Sequence, residues 1–336
     1  MQFGLFGSAQ ARRGGPDLDS GAGFRDFVAY NIEAEAIGYH STFLVEHHFT
    51  GFGQVSATLN LLTWIGARTT TLRLGTAVLV LPWHNPVLLA EQAATLDLLS
   101  GGRFDFGIGK GYRYNEFAGF CVPMEEAEAR FDECVEVMTR AWTSETPWSH
   151  QGKYWQFKDV VVEPPTAQKP HPPIWMGAEH PESIKKVAAR GYHLLLGQFS
   201  SVEEIGERIA IFKEAVEAQG RPFDPMTVGV ARSINVVMTK AEYEKAIENR
   251  MMGRRRTYQL ADREAKTRSE ADIRRAAEDG TLYGTPDEIA DKLQALRDVG
   301  AEYVLLNSAG GLTSLRRFAH EILPAFADTP ALRAAV

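Results

Sequence analysis

The sequence predicts an α/β fold in which eight parallel strands alternate with helices, a (β/α)8 TIM barrel. Short apolar, β-branched segments alternate with amphipathic helical segments along the whole chain, a pattern typical of parallel βα units. The chain also has 336 residues, a size at which eight such units close into one barrel. An open, doubly wound sheet is the alternative architecture for the same alternation.

The strands are predicted from apolar runs of strand length bounded by turn residues. In chain order they are Gln2–Phe6, Ser41–Val45, Thr71–Leu81, Arg103–Gly109, Pro173–Gly177, Leu194–Leu196, Val228–Met238 and Tyr303–Asn307. The helices are predicted from apolar residues at helical spacing, with glycines closing several of them. They are Gly23–Ile37, Val55–Arg68, Pro86–Leu99, Glu125–Thr143, Glu182–Arg190, Val202–Gln219, Pro286–Val299 and Thr313–Phe326.

We expect a single domain over residues 1–336. Two segments interrupt the alternation and are interpreted as insertions after strands 4 and 7. Residues 147–163 are rich in aromatic side chains and predict a β-hairpin. The segment Arg250–Gly280 is highly charged, with few large apolar residues, and is therefore either mobile or a solvated helical excursion. We interpret it as a lid over the barrel mouth, with a surface insertion as the alternative.

Composition limits the classes of function. The formal net charge of -7 argues against general nucleic-acid binding, which needs a basic surface. The two cysteines, Cys121 and Cys134, form neither a disulfide framework nor a CxxC pair. The N-terminal segment lacks the pattern of a signal peptide, and no apolar run reaches membrane-spanning length. We therefore expect a soluble cytoplasmic protein.

The most informative polar run is Val45-Glu46-His47-His48-Phe49, which comes where the second strand ends. Active sites of barrels are built at that end of the strands, and histidine changes charge near neutral pH. Glu46 and His47 are therefore candidates for proton transfer, with a pair of loop histidines as the plain alternative. Because side chains alternate along a strand, His47 and His48 should face opposite ways.

Metal and nucleophile chemistry find little support in the sequence. Adjacent histidines that face apart do not form a shared metal site, and HExxH is absent. The sequence also lacks G-x-S-x-G, and neither cysteine stands at a strand end. We therefore expect no metal centre and no nucleophilic triad.

Two strand ends could hold a phosphate group. The fourth strand ends in Gly107-Ile-Gly-Lys110-Gly111, where backbone amides and one lysine could meet an anion. The fifth strand ends in Gly177-Ala-Glu-His180, and Pro181 would then begin a helix whose free amides attract anions. The alternative is that Lys110 and Arg113 only pair with acids such as Glu116.

At this point the chain resembles the bacterial luciferase-like family of flavin-dependent monooxygenases, over nearly its whole length. The most specific part is Phe43-Leu-Val-Glu-His-His-Phe-Thr-Gly-Phe-Gly53. The similarity continues through Gly75–Pro82, Ser100–Gly109 and Ala178-Glu179 at matching intervals.

The resemblance implies a barrel that holds reduced FMN at its C-terminal mouth. Dioxygen would add to the reduced ring, and the resulting flavin hydroperoxide would oxidise a small organic substrate, aldehyde-like or otherwise hydrophobic. His47 matches the catalytic histidine of the family, and Glu46 stands beside it. The match implies a cis Ala77–Val78 peptide under the ring, next to Thr76.

For the FMN phosphate, the resemblance assigns Lys110 and the fifth strand exit. The residues of that exit are Gly177, Ala178, Glu179, His180 and Ser183. The resemblance also implies a separate flavin reductase as the source of reduced FMN, and we expect a homodimer.

This chain departs from the family pattern at two positions. Lys110 replaces an arginine, so its contact with phosphate should be point-like rather than forked. Gly109 replaces the reactive cysteine of luciferase. Light emission is therefore not implied. A flavin-binding protein without catalysis and a deazaflavin-dependent oxidoreductase are the alternative functions.

Overall fold

The computed structural model describes residues 1–261, 269–308 and 310–326. Within them, strands β1 to β12 span Gln2–Gly7, Ser41–Leu44, Arg73–Thr76, Leu79–Val80, Phe104–Gly109, Trp148–Gln151, Gln156–Val160, Ile174–Gly177, His193–Leu196, Val228–Val236, Thr281–Gly284 and Tyr303–Ser308. Helices α1 to α12 span Ala22–Ala36, Thr58–Gly66, Pro86–Leu99, Tyr114–Gly119, Ala127–Thr143, Pro181–Ala189, Val202–Glu217, Lys240–Ala261, Glu270–Asp279, Pro286–Asp298, Gly311–Glu321 and Leu323–Phe326.

The main sheet has the strand order β11-β10-β12-β1-β2-β3-β5-β8-β9, and β9 pairs in turn with β10. The pairings of β1 with β12, β3 with β5, and β10 with both β9 and β12 are parallel. Because β9 pairs with β10, the strands from β10 through β1 to β9 form a closed ring, which is a barrel. The predicted (β/α)8 TIM barrel is therefore confirmed. The sequence analysis did not predict β11, which pairs with the far end of β10.

The predicted third strand, Thr71–Leu81, is divided into β3 and β4. The peptide between Ala77 and Val78 is cis, as the family resemblance implied. Both halves pair in parallel with β5, so the divided strand keeps one place in the sheet.

Helix starts follow the local sequence signals. The Asn85 side chain accepts the amides of Val87 and Leu88, and Pro86 occupies the first position of α3. Capping boxes begin α7 at Ser201 and α10 at Thr285. None of the helices in the described ranges is long and apolar enough to cross a membrane.

Both predicted insertions contain regular structure. Strands β6 and β7 pair antiparallel within residues 147–163, which confirms the hairpin. Helices α8 and α9 cover most of Arg250–Gly280, which matches the helical excursion; residues 262–268 lie outside the described part of the chain. Apolar side chains of the two helices pack with Tyr283 of β11 in a small buried cluster, whose helical members are Ala246, Ile247, Met251, Ile273 and Ala277. The role of a lid stays a prediction.

The described chain divides into two compact units. The first comprises Met1–Gly7, Ala29–Phe43 and the chain from Met176 onward, and the second comprises Ser8–Val28 and Leu44–Trp175. The organisation of residues 1–336 as one domain stays a prediction.

Within the first unit, a buried hydrogen bond of 2.5 Å joins the Ser41 hydroxyl on β2 to the Tyr303 hydroxyl on β12. Phe3 packs edge-on against Phe318, with ring centroids 5.1 Å apart. This unit therefore combines apolar packing with a satisfied polar link.

Within the second unit, the buried carboxylate of Asp105 joins three strands. It accepts two hydrogen bonds from Arg73 on β3, at 2.7 and 2.9 Å, and one from the indole of Trp175 on β8, at 3.1 Å. A carboxylate that is fully hydrogen-bonded in this way can be buried without a large cost. The Asp105 carboxylate thus links the neighbouring strands β3, β5 and β8.

Candidate active site

The polar run after β2 forms the centre of the candidate site, and it lies within the second unit. The Glu46 carboxylate is fully buried, whereas the side chains of His47 and His48 are 15% and 16% exposed. The two adjacent imidazoles contact different carboxylates: His47 binds Glu116 and His48 binds Glu46. The sequence therefore places two separate acid–histidine pairs at one strand exit.

Both carboxylate oxygens of Glu46 accept hydrogen bonds. Its Oε1 atom accepts hydrogen bonds from Nε2 of His48 and Nε2 of His84, each at 2.8 Å, and its Oε2 atom accepts the Val80 amide at 2.7 Å. Burial raises the pKa of this carboxyl, but the hydrogen bonds from the two imidazoles and from the amide outweigh burial and lower the pKa to about 2. Glu46 is therefore ionised at neutral pH.

His48 is surrounded by aromatic rings. Its imidazole meets Phe120 edge-on at a centroid distance of 4.8 Å and Trp83 at 5.8 Å, and these two rings stack on each other at 5.1 Å. Since its Nε2 atom is already bound to Glu46, His48 connects the buried carboxylate to this aromatic group. We assign it a structural role.

His47 is oriented by Glu116, which lies on the short helix α4. The Nδ1 atom of His47 is 3.0 Å from Oε1 of Glu116, and the same oxygen accepts the backbone amide of His48 at 2.9 Å. Because this oxygen already accepts the His48 amide, it is an acceptor towards Nδ1 as well, so Nδ1 carries the proton and Nε2 is the basic nitrogen. Nε2 has no hydrogen-bond partner among the described residues.

Sequence analysis considered Glu116 only as a partner for Lys110 or Arg113, and it missed helix α4. A six-residue helix is too short to show a periodic pattern. The one usable signal was an acid in the apolar stretch just beyond the glycine-rich strand exit. The pairing itself joins residues 69 positions apart, so local sequence does not reveal it.

Electrostatics favour the neutral form of His47. Burial lowers its pKa below the ordinary value of 6.5 and outweighs the hydrogen bond to Glu116, which raises it; the nearby guanidinium of Arg113 lowers it further. Arg113 is itself buried, and its Nη1 atom has no partner within the described chain. His47 is thus a proton acceptor at neutral pH, with a carboxylate behind it.

The cis peptide segment lies beside β5. The Thr76 hydroxyl donates to the Gly107 carbonyl at 2.7 Å and accepts the Gly107 amide at 2.8 Å, so this predicted flavin residue is engaged with the neighbouring strand. A side chain at position 107 would clash with the Thr76 carbonyl, which explains the glycine. Ala77 and Val78 are partly exposed and follow directly.

Lys110 has a different partner from the one considered in the sequence analysis. Its ammonium lies 3.7 Å from the Glu128 carboxylate, and its side chain is 40% exposed. Ion pairs of this kind contribute little free energy, so Lys110 can exchange Glu128 for another anion at small cost. Next to it, a side chain at Gly109 would meet Val78, so the close approach of these strands requires glycine.

The remaining predicted residues lie in the first unit, where β8 ends and α6 begins. Gly177, Glu179 and His180 are exposed, Ala178 is buried and Ser183 is partly buried. Pro181 occupies the first turn of α6, and His180 before it makes no side-chain cap. The amides of this turn are therefore open to an anion, as the sequence analysis expected for this strand exit.

In the described ranges, no group of three or more histidine, cysteine or acidic side chains is arranged to hold a metal ion. The site offers instead an imidazole base with an oriented tautomer, a buried cation close to it and, at a separate strand exit, uncapped helix amides. These groups suit proton transfer and the binding of a phosphorylated organic molecule.

Comparisons with known proteins identify the family of the chain. A family model described as luciferase-like monooxygenase matches residues 1–303. An uncharacterised protein of Sinorhizobium fredii, y4vJ, is 29% identical over 269 residues, which cover 80% of this chain and 76% of that protein. The oxygenase component of a flavin-dependent trigonelline monooxygenase from Acinetobacter baylyi is 29% identical over 187 residues, 55% of this chain and 51% of that protein. An F420-dependent glucose-6-phosphate dehydrogenase from Amycolatopsis mediterranei is 25% identical over 321 residues, 90% and 94% of the two chains.

Solved structures share the fold. The monooxygenase RslO1 from Streptomyces bottropensis superposes with a TM-score of 0.84 at 26% identity, over 97% of this chain and all of that one. The oxygenating constituent of 3,6-diketocamphane monooxygenase from Pseudomonas putida, solved with FMN, has a TM-score of 0.77 at 18% identity, over 97% and 99% of the two chains.

We expect the variant Glu46→Gln to lower the free energy of unfolding by about 3 kcal/mol at pH 7, because it replaces a buried acceptor of four donors by a group that must itself donate. Since the Glu46 pKa is depressed, the carboxylate stabilises the fold fully above its ordinary pKa of 4.5, and this contribution is lost as the pH falls towards about 2. Urea denaturation between pH 7 and pH 3 measures both effects.

The exposed Glu145 gives a matched control, and Glu145→Gln should unfold like the wild type. An unchanged stability of Glu46→Gln at pH 7, or a difference from wild type that does not shrink in acid, would contradict the assignment.

Proposed function

The chain belongs to the luciferase-like monooxygenase family, and on this premise we propose that it is a monooxygenase that uses reduced FMN and dioxygen to oxidise a small organic substrate. The observation that carries the proposal is the pair His47–Glu116, which offers an oriented, neutral base at a strand exit of a flavoprotein fold. An aldehyde-like or otherwise hydrophobic compound is the substrate class we propose. A separate flavin reductase is the proposed source of reduced FMN.

The residues present suit a phosphorylated flavin. We propose that Lys110 and the uncapped first turn of α6, with Gly177, Ala178, Glu179, His180 and Ser183, bind the phosphate. Thr76, Ala77 and Val78 would then support the ring through their backbone, since the Thr76 hydroxyl is already engaged by Gly107. Reduced FMN, when bound, would supply the electrons that activate dioxygen.

The chain's own catalytic contribution in this proposal is proton transfer by His47. Its Nε2 atom accepts a proton from the substrate or returns one, and Glu116 stabilises the charged imidazole through Nδ1. Glu116 is thus a positioning residue. Glu46, which we first considered catalytic, contacts His48, His84 and Val80, and we propose that it acts by holding this strand exit in place.

We further propose that the protein is a homodimer, as the family resemblance implied, and that it works in the cytoplasm, as its composition suggested. A second candidate function is deazaflavin-dependent oxidoreduction, which the match to the F420-dependent dehydrogenase over nine-tenths of this chain favours. The two functions differ in whether dioxygen is a reactant. Flavin binding without catalysis is the third possibility, and the same experiment distinguishes it.

The test is an anaerobic titration of the protein with reduced FMN, oxidised FMN, NADPH and reduced F420, followed by a pulse of isotopically labelled dioxygen in the presence of candidate substrates. We expect reduced FMN to bind more tightly than the other three. The chain offers phosphate-binding groups, but its sequence has no dinucleotide fingerprint for NADPH. Mass spectrometry should then find one labelled oxygen atom in the product.

Preferred binding of reduced F420, with no label in the product, would favour the deazaflavin function. Tight binding of reduced FMN with no oxidised product from any compound tested would favour the non-catalytic function.

We expect His47→Ala to lower turnover about a hundred- to ten-thousandfold while leaving the dissociation constant for FMN unchanged, since general acid–base catalysis contributes about that much. In the wild type, kcat/KM should rise with pH through a pKa below 6.5, because burial and Arg113 favour the neutral imidazole. Rapid-mixing kinetics across pH 5 to 8 measures both.

His48→Ala is the matched control, because His48 has nearly the same exposure but binds Glu46. It should lose stability rather than turnover and should retain the pH dependence. Near-normal turnover in His47→Ala would end the assignment of His47 as the base.

We expect Lys110→Ala to weaken FMN binding by about 1–2 kcal/mol, since a partly exposed lysine makes a modest charge-assisted hydrogen bond to phosphate. Riboflavin, which lacks the phosphate, should bind both proteins equally. The exposed Lys213 on α7 provides the control variant Lys213→Ala, which should bind FMN like the wild type. An unchanged FMN affinity in Lys110→Ala would move the phosphate elsewhere.

A further inference from the structure

Three arginines gather around the loop that follows β9 in the first unit. Arg232 on β10 donates to the Ser200 carbonyl at 2.7 Å. Arg250 and Arg254, one turn apart on α8, place their guanidinium carbons 5.0 and 4.0 Å from the centre of the Phe199 ring. Arginine side chains from β10 and α8 therefore contact the same loop.

Two of these arginines are buried, Arg232 with 1% exposure and Arg254 with 7%, and Arg250 is partly buried. A buried charge normally has a counterion, because transfer from water is costly. Among the described residues, however, none of the three has a carboxylate within ion-pair distance. Exposed arginines of the same unit are paired, as Arg255 is with Glu270 and Arg316 with Glu33.

The lowered pKa values of two of these arginines show that positive charges lie close together in the cluster. Burial lowers the pKa of Arg232 to about 10, and Arg250 and Arg208 lower it as well. Burial also lowers the pKa of Arg250, and Arg254 contributes to that shift. The site therefore has a surplus of positive charge that an anion would relieve.

Several donors of the cluster remain available. Nε and Nη1 of Arg254 and Nε of Arg250 are buried without a hydrogen-bond partner in the described part of the chain. Nη2 of Arg254 binds the Tyr258 hydroxyl at 2.6 Å, and Nη2 of Arg250 binds the Gln198 side chain at 2.8 Å, so both side chains are held in position. Leaving charged donors unpaired is costly, whereas planar guanidinium groups fit oxyanions well.

We propose that Arg232, Arg250 and Arg254, with the loop Gln198–Ser200, form a binding site for an oxyanion of a small molecule, a phosphate or a carboxylate. Burial of the cluster excludes an extended polyanion, and the surplus charge calls for an anionic ligand rather than a neutral one. The site uses none of the residues to which the flavin phosphate was assigned above, although Glu179 of that group lies beside Gly197, next to the loop. The proposal does not require that the protein bind flavin.

Calorimetric titration of the flavin-free protein with inorganic phosphate, at constant ionic strength in chloride, tests the proposal. We expect the wild type to bind phosphate. Arg254→Met and Arg250→Met should each weaken this binding about ten- to a hundredfold, the effect of losing charge-assisted hydrogen bonds. Arg255→Met is the matched control, because Arg255 is the next residue on α8 but is exposed and paired with Glu270; its affinity should equal that of the wild type.

Arg254→Lys keeps the charge without the fork, so it should fold and show an intermediate loss if Arg254→Met is unstable. Absence of phosphate binding in the wild type, or wild-type affinity in both methionine variants, would overturn the proposal. So would binding that is lost in Lys110→Ala and retained in Arg254→Met, because the phosphate would then occupy the proposed flavin site.

Titrations with FMN and riboflavin identify the source of the oxyanion. If the arginine variants weaken FMN but not riboflavin, the site takes the flavin phosphate. If they weaken inorganic phosphate and leave FMN unchanged, the site takes a second anionic ligand. Both results support the oxyanion site, and phosphate binding by a protein that fails to bind FMN would reject only the proposed function.

Discussion

The buried carboxylate of Glu46 is the constraint on which the rest of the site depends. Its hydrogen bonds connect three segments: the exit of β2 through His48, the strand β4 through the Val80 amide, and the turn before α3 through His84. A buried ionised group is tolerable only when its lone pairs are satisfied, so these segments cannot move independently. His47, one residue further along the chain, takes its position from this arrangement.

Strand geometry then separates the roles of the two histidines. Neighbouring side chains of an extended chain point in opposite directions, so one imidazole reaches Glu46 and the other reaches Glu116. The first pair connects strands and aromatic rings, whereas the second leaves Nε2 of His47 without a hydrogen-bond partner in the described part of the chain. The same two residue types therefore serve stability at one position and, in the proposed function, proton transfer at the next.

Sequence analysis predicted what periodicity and local chemistry determine. The alternation of strands and helices predicted the barrel, and the predicted helix Pro86–Leu99 has the same bounds as α3. It could not predict Glu116 as the partner of His47, because the contact is long-range and α4 is too short for a pattern. It missed β11 because Thr281–Gly284 directly follows the charged segment that was interpreted as an insertion, and it could not show that the Thr76 hydroxyl is occupied by Gly107.

The arginines of this chain differ in whether their charge is balanced within the described residues. Arg73 is partnered by Asp105, which also accepts from Trp175, so its charge is balanced within the fold. Buried nitrogen atoms of Arg113, Arg250 and Arg254 have no hydrogen-bond partner among the described residues. If folding alone had determined these positions, apolar side chains of similar size would serve at least as well, since buried charges rarely stabilise. Guanidinium groups at these positions are consistent with the oxyanion site that we propose.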